Sequence, residues 1–204
     1  MKSIGFTLDA YDPATNRAGD IVFTKTGVPF DQIWGDFGQQ DPRSPGDPTK
    51  RNPQPTYILP LGTKVQSLID GYVTKVDELY SGDVTIWVAP VKDGGTMWFE
   101  TEHVINPAVK VGDKVKSGQT IAEVSTHDSQ YHPGFGILEI GLFRPDGTQP
   151  AHYCPYEYLD ESVKDNLYAK ITALHTAWEN YIGKDVYPDS YPVPGCTSLD
   201  VVHG

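Results

Sequence analysis

The rhythm of hydrophobic and polar positions changes along this chain, and each rhythm predicts a different element. From Gly62 to Phe143 short apolar runs are broken by turn formers about every 8–12 residues, which predicts an antiparallel all-β region. The expected strands are Lys64–Ile69, Tyr72–Val76, Val84–Ala89, Met97–Ile105, Thr120–Val124 and Ile137–Phe143. Asp70-Gly71, Ser81-Gly82-Asp83, Asp93-Gly94-Gly95 and Lys116-Ser117-Gly118 supply the turns between them. In the last strand Leu138, Ile140 and Leu142 alternate onto one face as a core requires, leaving Phe135, Ile137 and Glu139 on the other. In Val84–Ala89, Trp87 shares its face with Thr85 and Ala89, opposite Val84, Ile86 and Val88.

Downstream the period lengthens. Val163, Leu167, Ile171, Leu174, Trp178 and Ile182 recur at helical spacing, Asp160 or Ser162 is placed to cap the start, and Gly183 falls where a C-terminal cap belongs. Residues 1–60 show only short apolar pieces, Ile21-Val22-Phe23 and Ile33-Trp34. The stretch from Gly38 to Pro55, dense in Pro, Asp and Gln, reads as a long surface loop. The expected fold is mainly β, an antiparallel β-sandwich or β-roll with one C-terminal helix. It divides into N-terminal strands and an extension (1–33), a β-domain (34–150), and a helix with an extended tail packed on it (151–204).

Composition narrows the function. The 204 residues hold 27 acidic and 16 basic side chains, a net charge of −11, and the basic ones are scattered. A nucleic-acid partner needs a basic face, so that class is set aside. No apolar run reaches the ~20 residues of a membrane span. The segment Met1-Lys2-Ser3-Ile4-Gly5-Phe6 is no secretory leader, so either the protein stays inside the cell or a leader was removed ahead of it. The two cysteines, Cys154 and Cys196, lack metal-site or redox spacing and are either paired or free thiols. Pairing would fit an extracellular or periplasmic protein.

An ordered series of motifs carries a resemblance. Gly62-Thr63-Lys64-Val65, Asp70-Gly71-Tyr72-Val73 and the run from Val109 to Ile121 (Val-Lys-Val-Gly-Asp-Lys-Val-Lys-Ser-Gly-Gln-Thr-Ile), preceded by Phe37-Gly38 and Asp41-Pro42, resemble the lysostaphin-like (LytM-type) zinc metallopeptidases that cut peptide cross-bridges in bacterial cell walls. The resemblance covers about residues 34–143. It implies the β-fold of that family and a zinc ion held by two histidines and an aspartate, with one position open for water. Its first ligands, in a His-x-Gly-x-Asp pattern, fall by counting on Asn52 and Thr56. Its His-Leu-His-Phe-Glu strand falls on Phe135-Gly136-Ile137-Leu138-Glu139, with both histidines replaced by apolar residues, and no His-x-His occurs in the chain. Only His103, in Thr-Glu-His-Val, matches a functional residue, the family's non-ligand catalytic histidine.

The expectation is therefore a non-catalytic, degenerate domain of this type without a cofactor. It would bind a cell-wall polymer, glycan or protein in a groove with Phe135 and Ile137 as its floor and Asn52, Thr56, His103 and Glu139 as polar contacts. Trp34, Trp87 and Trp98, with the tyrosines of the tail, are candidate sugar-stacking faces. Asp36 and Asp41 are read either as acid–base carboxylates or as turn caps. One alternative is a zinc-dependent hydrolase whose metal site has moved to His103, His127 and His132, Glu139 being a further ligand candidate. Another is a structural or assembly protein in which the β-domain is only a scaffold.

Overall fold

A computed structural model describes residues 1–25, 31–41, 44 and 46–203. Pro42, in the expected opening motif, lies outside them. The strands are β1 (Arg17–Ala18), β2 (Ile21–Val22), β3 (Trp34–Gly35), β4 (Thr56–Pro60), β5 (Lys64–Gln66), β6 (Gly71–Glu78), β7 (Val84–Ala89), β8 (Trp98–Ile105), β9 (Lys114–Val115), β10 (Thr120–Val124), β11 (Phe135–Asp146) and β12 (Gln149–His152). A 3-10 turn (Pro155–Tyr158), helix α1 (Lys164–Ile182) and β13 (Val202–His203) complete the chain. The named strands of the described residues pair antiparallel, so the expected mainly-β architecture with one C-terminal helix is present.

Strand β11 organises the sheet. Its first half pairs with β4, from Phe135 opposite Pro60 to Glu139 opposite Thr56, and its end pairs with β12 along the same edge. The other edge pairs with β8, from Glu139 opposite Glu102 to Phe143 opposite Trp98. Beyond β8 the order runs β7, β6, β9, while β10 joins β8 to β5. The alternation holds: Leu138, Ile140 and Leu142 are fully buried in the core beside Tyr57, Leu59 and Val104. The opposite face of β11 carries Ile137, Glu139, Gly141 and Phe143.

Strand β5 stops at Gln66, short of the expected Ile69. The backbone at and beyond its end serves the N-terminal segment, with the Gln66 N–H donating to Gly5 O at 2.7 Å and the Lys2 N–H to Leu68 O at 3.0 Å. That segment buries Ile4, Phe6 and Leu8, and the Phe6 ring packs edge-on against Tyr57 and Trp34. Helix α1 turns Ile171, Leu174 and Trp178 inward and ends at Gly183, whose φ of 72° only glycine adopts without strain. The expected capping differs: Asp160 accepts the Ser162 N–H and its carbonyl accepts those of Val163 and Lys164, one turn early. Val163 occupies the N-cap position without a side-chain bond.

Cys154 and Cys196 are bonded. The staple holds the tail against residues 35–38, where the Phe37 N–H donates to Gly195 O at 3.0 Å and the Thr197 N–H to Phe37 O at 2.9 Å. Strand β13 then pairs with β12. Within the stretch expected as a surface loop, Gln40 bridges to Arg51.

Candidate functional site

The sheet face opposite the core carries a row of acids and rings set by strand alternation. Along β8 the positions Trp98, Glu100 and Glu102 share this face; across β11 they meet Phe143, Gly141 and Glu139, and across β7 Glu100 meets Trp87. Glu100, only 5% exposed, is held by three donors. Thr85 Oγ1 donates to its Oε1 at 2.7 Å, the Trp87 indole N–H donates to the same oxygen, and Gln54 Nε2 reaches its Oε2 at 3.2 Å. The same Gln54 nitrogen lies 3.2 Å from Glu102 Oε2. Gly141 makes the arrangement possible, because a Cβ there would stand 3.1 Å from both Gln54 Nε2 and Glu100 Oε2. Burial, then the neighbouring Glu102 charge, push the Glu100 carboxyl well above the usual range.

These groups edge a cavity of ≈590 Å3 walled by Trp87, Trp98 and Phe143 and closed by the β11–β12 turn. The Trp98 and Phe143 rings are stacked, centroids 6.0 Å apart at 21°, and Trp87 meets Phe143 edge-on at 4.8 Å. His152 also lines it; only 4% exposed, its Nδ1 has no hydrogen-bond partner among the described residues. Burial, then His203, push its ring down to about 4, so it is neutral.

Beside the cavity a bulge re-aims His103. Ile86 faces Thr101 while Val84 faces Val104, so one extra residue of β8 is accommodated there, and His103 takes a φ of 60°. A non-glycine residue in that region is strained by of order 1–3 kcal/mol, a feature concentrated at functional sites. The bulge brings His103 together with Glu102 and Glu139, their ligand atoms all within 4.8 Å of one another, and likewise with Asp83 and His127. Asp83 Oδ2 lies 3.0 Å from His103 Nδ1 and accepts the Ser125 hydroxyl at 2.6 Å. Although burial pushes the Asp83 carboxyl up, hydrogen bonds from Ser125, Ser81 and His103 hold it below its ordinary value. Burial and the neighbouring His127 lower His103, and the two rings are stacked 3.6 Å apart. Nδ1–H therefore donates to an ionised Asp83, leaving Nε2 as the free lone pair.

Of the six residues expected from the sequence, the structure groups three: Thr56 Oγ1 donates to Glu139 Oε1 at 3.4 Å, and Glu139 meets His103. Asn52 lies apart, its amide donating to the Asp36 carbonyl at 3.1 Å. Phe135 and Ile137 stand toward the other end of β11, opposite Pro60 and Ile58. None of the six lines the cavity, which lies further along β8 and β11. His132 is fully buried and joins neither group of prospective metal ligands, whereas His127 does. Trp34 and Tyr187 are buried in the core and offer no stacking face, a correction to the sequence reading, while Trp87 and Trp98 do reach the cavity. Sequence reasoning missed Gln54, Glu100 and Glu102; the signal was present for the two acids, spaced two apart after Trp98.

The residues at the positions expected to bind zinc do not fit that ion. Asn52 is spent on a backbone carbonyl, Thr56 offers only a hydroxyl, and Ile137 has no donor atom. Asp36 and Asp41 are interior; Asp36 accepts the Tyr191 hydroxyl at 2.6 Å and Asp41 lies 3.8 Å from Lys50 Nζ. Among the described residues no helix is long and apolar enough to cross a membrane.

No family model and no curated protein matches the chain. Similar solved structures include lysostaphin, 21% identical over 56% of this chain and 44% of its own, with a TM-score of 0.45. They also include the catalytic domain of the prophage-encoded protein EnpA from Enterococcus faecalis, 21% identical over 64% of this chain and 95% of that one, TM-score 0.45. A zinc-containing peptidase from Vibrio cholerae is 22% identical over 57% of this chain and 35% of its own, TM-score 0.41. The chain thus spans less than half the length of lysostaphin.

Proposed function

We propose that this chain is a non-catalytic binding module that holds a cell-wall polymer by its glycan. One observation carries the reading: the cavity combines three aromatic rings with hydrogen-bonding side chains that converge on it, Gln54, Glu100 and Glu102. An aromatic face packs against the C–H face of a pyranose while neighbouring amides and carboxylates engage its hydroxyls. Apolar Phe135 and Ile137, where the resemblance implies a zinc-binding strand, support a binding role rather than the family's cleavage chemistry. Export of the mature chain to a periplasmic or extracellular location accords with the Cys154–Cys196 bond.

Co-sedimentation with purified, insoluble bacterial cell walls tests this. The wild type is expected in the pellet, with Trp98→Ala weakening retention about tenfold, as expected for loss of one stacking ring. Retention unchanged in Trp98→Ala would overturn the assignment of the groove. A second reading, a hydrolase with a relocated metal, is favoured by the two ligand groups around His103. In it Glu102, His103 and Glu139 would hold the ion, Asp83 fixing the imidazole tautomer from behind, and the ion would polarise a substrate carbonyl. About one equivalent of zinc by elemental mass spectrometry, lost in His103→Ala, would favour that reading over binding alone.

A further inference from the structure

We infer that the groove between Trp98, Phe143 and Glu102 takes a hexosamine with a free ammonium group, a glycan unit that is not acetylated. This rests on the glycan-binding reading above and narrows it to one ligand chemistry. The cavity sets two acids about one amide nitrogen of Gln54; Glu100 is held by Thr85 and Trp87 as well, which leaves Glu102 as the carboxylate that faces the cavity with Gln54 as its donor. Among the described residues neither Glu100 nor Glu102 forms an ion pair with Lys or Arg, and no Lys or Arg lines the cavity.

Two features separate an amino sugar from other cations. Three rings, Trp87, Trp98 and Phe143, wall the groove over an area broader than an alkylammonium chain covers, and a pyranose can set its C–H face against them. Beside Pro53, Pro145, Gly147 and Pro150, the lining carries the neutral polar side chains of Thr148, Gln149 and His152, suited to hydroxyl groups, which a lysine side chain lacks. An N-acetyl group would instead set a neutral amide against the Glu102 carboxylate and leave it without a counter-charge.

Isothermal titration with three probes tests the inference: fully deacetylated glucosamine tetrasaccharide, N-acetylglucosamine tetrasaccharide and tetralysine. The deacetylated glycan is expected to bind at least about tenfold more tightly than the acetylated one, the difference made by one charged hydrogen-bonding group. Glu102→Gln, near-isosteric at a half-buried position, should erase that preference. A wild-type measurement needs no variant: the Trp98 indole resonance should shift with the deacetylated glycan. Equal or tighter binding of the acetylated glycan would overturn the ammonium assignment while leaving glycan binding intact. Tetralysine binding above both glycans would overturn it in favour of a cationic peptide. Binding by none of the probes, with no retention on cell walls, would overturn both readings.

Discussion

Asp83 and Asp36 each lie beside a histidine, 3.0 Å from His103 Nδ1 in one case and 3.7 Å from His175 Nε2 in the other. Asp83 collects hydrogen bonds from Ser81, Ser125 and His103 at the edge of an open sheet face and is held ionised. Asp36 has one donor, Tyr191, and burial pushes it up to about 7. His175, stacked on Tyr187 at 3.9 Å, is driven down to about 3 by burial alone. Both regions contain perturbed titratable groups, yet Asp83 lines an open cleft with Ser81, His127 and Asp128, whereas Asp36 is fully buried. The second is sealed beneath the tail that the disulfide fastens. A perturbed group marks a functional site when a ligand can reach it; in the sealed region the same physics governs stability alone.

Releasing the strap breaks this comparison most severely. In the chain-entropy picture the Cys154–Cys196 bond, spanning a sequence separation of 42, contributes about 4 kcal/mol. The double variant Cys154→Ser/Cys196→Ser is expected to lose about that much in urea unfolding.

The next test separates the two sealed groups. Asp36 is raised in the folded state, so its contribution is fully present below about pH 4 and is lost as pH rises through about 7. His175 is lowered, so its contribution is present above about pH 6.5 and is lost as pH falls toward about 3. The two slopes oppose each other between pH 4 and 6.5. Asp36→Asn retains an acceptor for Tyr191 and removes one slope. Its stability relative to wild type should therefore climb with pH from 4 to 7, by ~4 kcal/mol at the upper end. A constant difference across that range would show that Asp36 does not titrate there. On the open side the effect is smaller: His127→Ala removes both a charge neighbour and part of the burial over His103. The His103 titration midpoint, read by NMR, should move up; a fall would refute the role assigned to the stack.

Strands β5 to β8, β10 and β11 were legible because alternation is written directly into residues such as Leu138, Ile140 and Leu142, and the helix because Ile171, Leu174 and Trp178 keep its period. Strand β4 was not, since Pro55 and Pro60 bracket a run too short to show a period. The site was legible only in part. Counting from Gly62 and reading the pleat of β11 led to Thr56 and Glu139, which do meet across β4 and β11. The bulge that turns His103 toward Glu139 depends on a register shift between β7 and β8 that no residue pattern announces. Gln54 meets Glu100 across 46 residues of chain through the space Gly141 leaves, a contact that exists only after folding.

The four tryptophans offer the most direct test, because two of them lie in each region. Trp87 and Trp98 line the cavity, whereas Trp34 and Trp178 are buried in the core that includes α1. Their indole N–H resonances should be followed while soluble cell-wall glycan fragments are titrated into the protein. The account predicts saturable shifts for Trp87 and Trp98 with Trp34 and Trp178 unmoved. Shifts confined to Trp34 and Trp178, or no shift in any of the four, would contradict it.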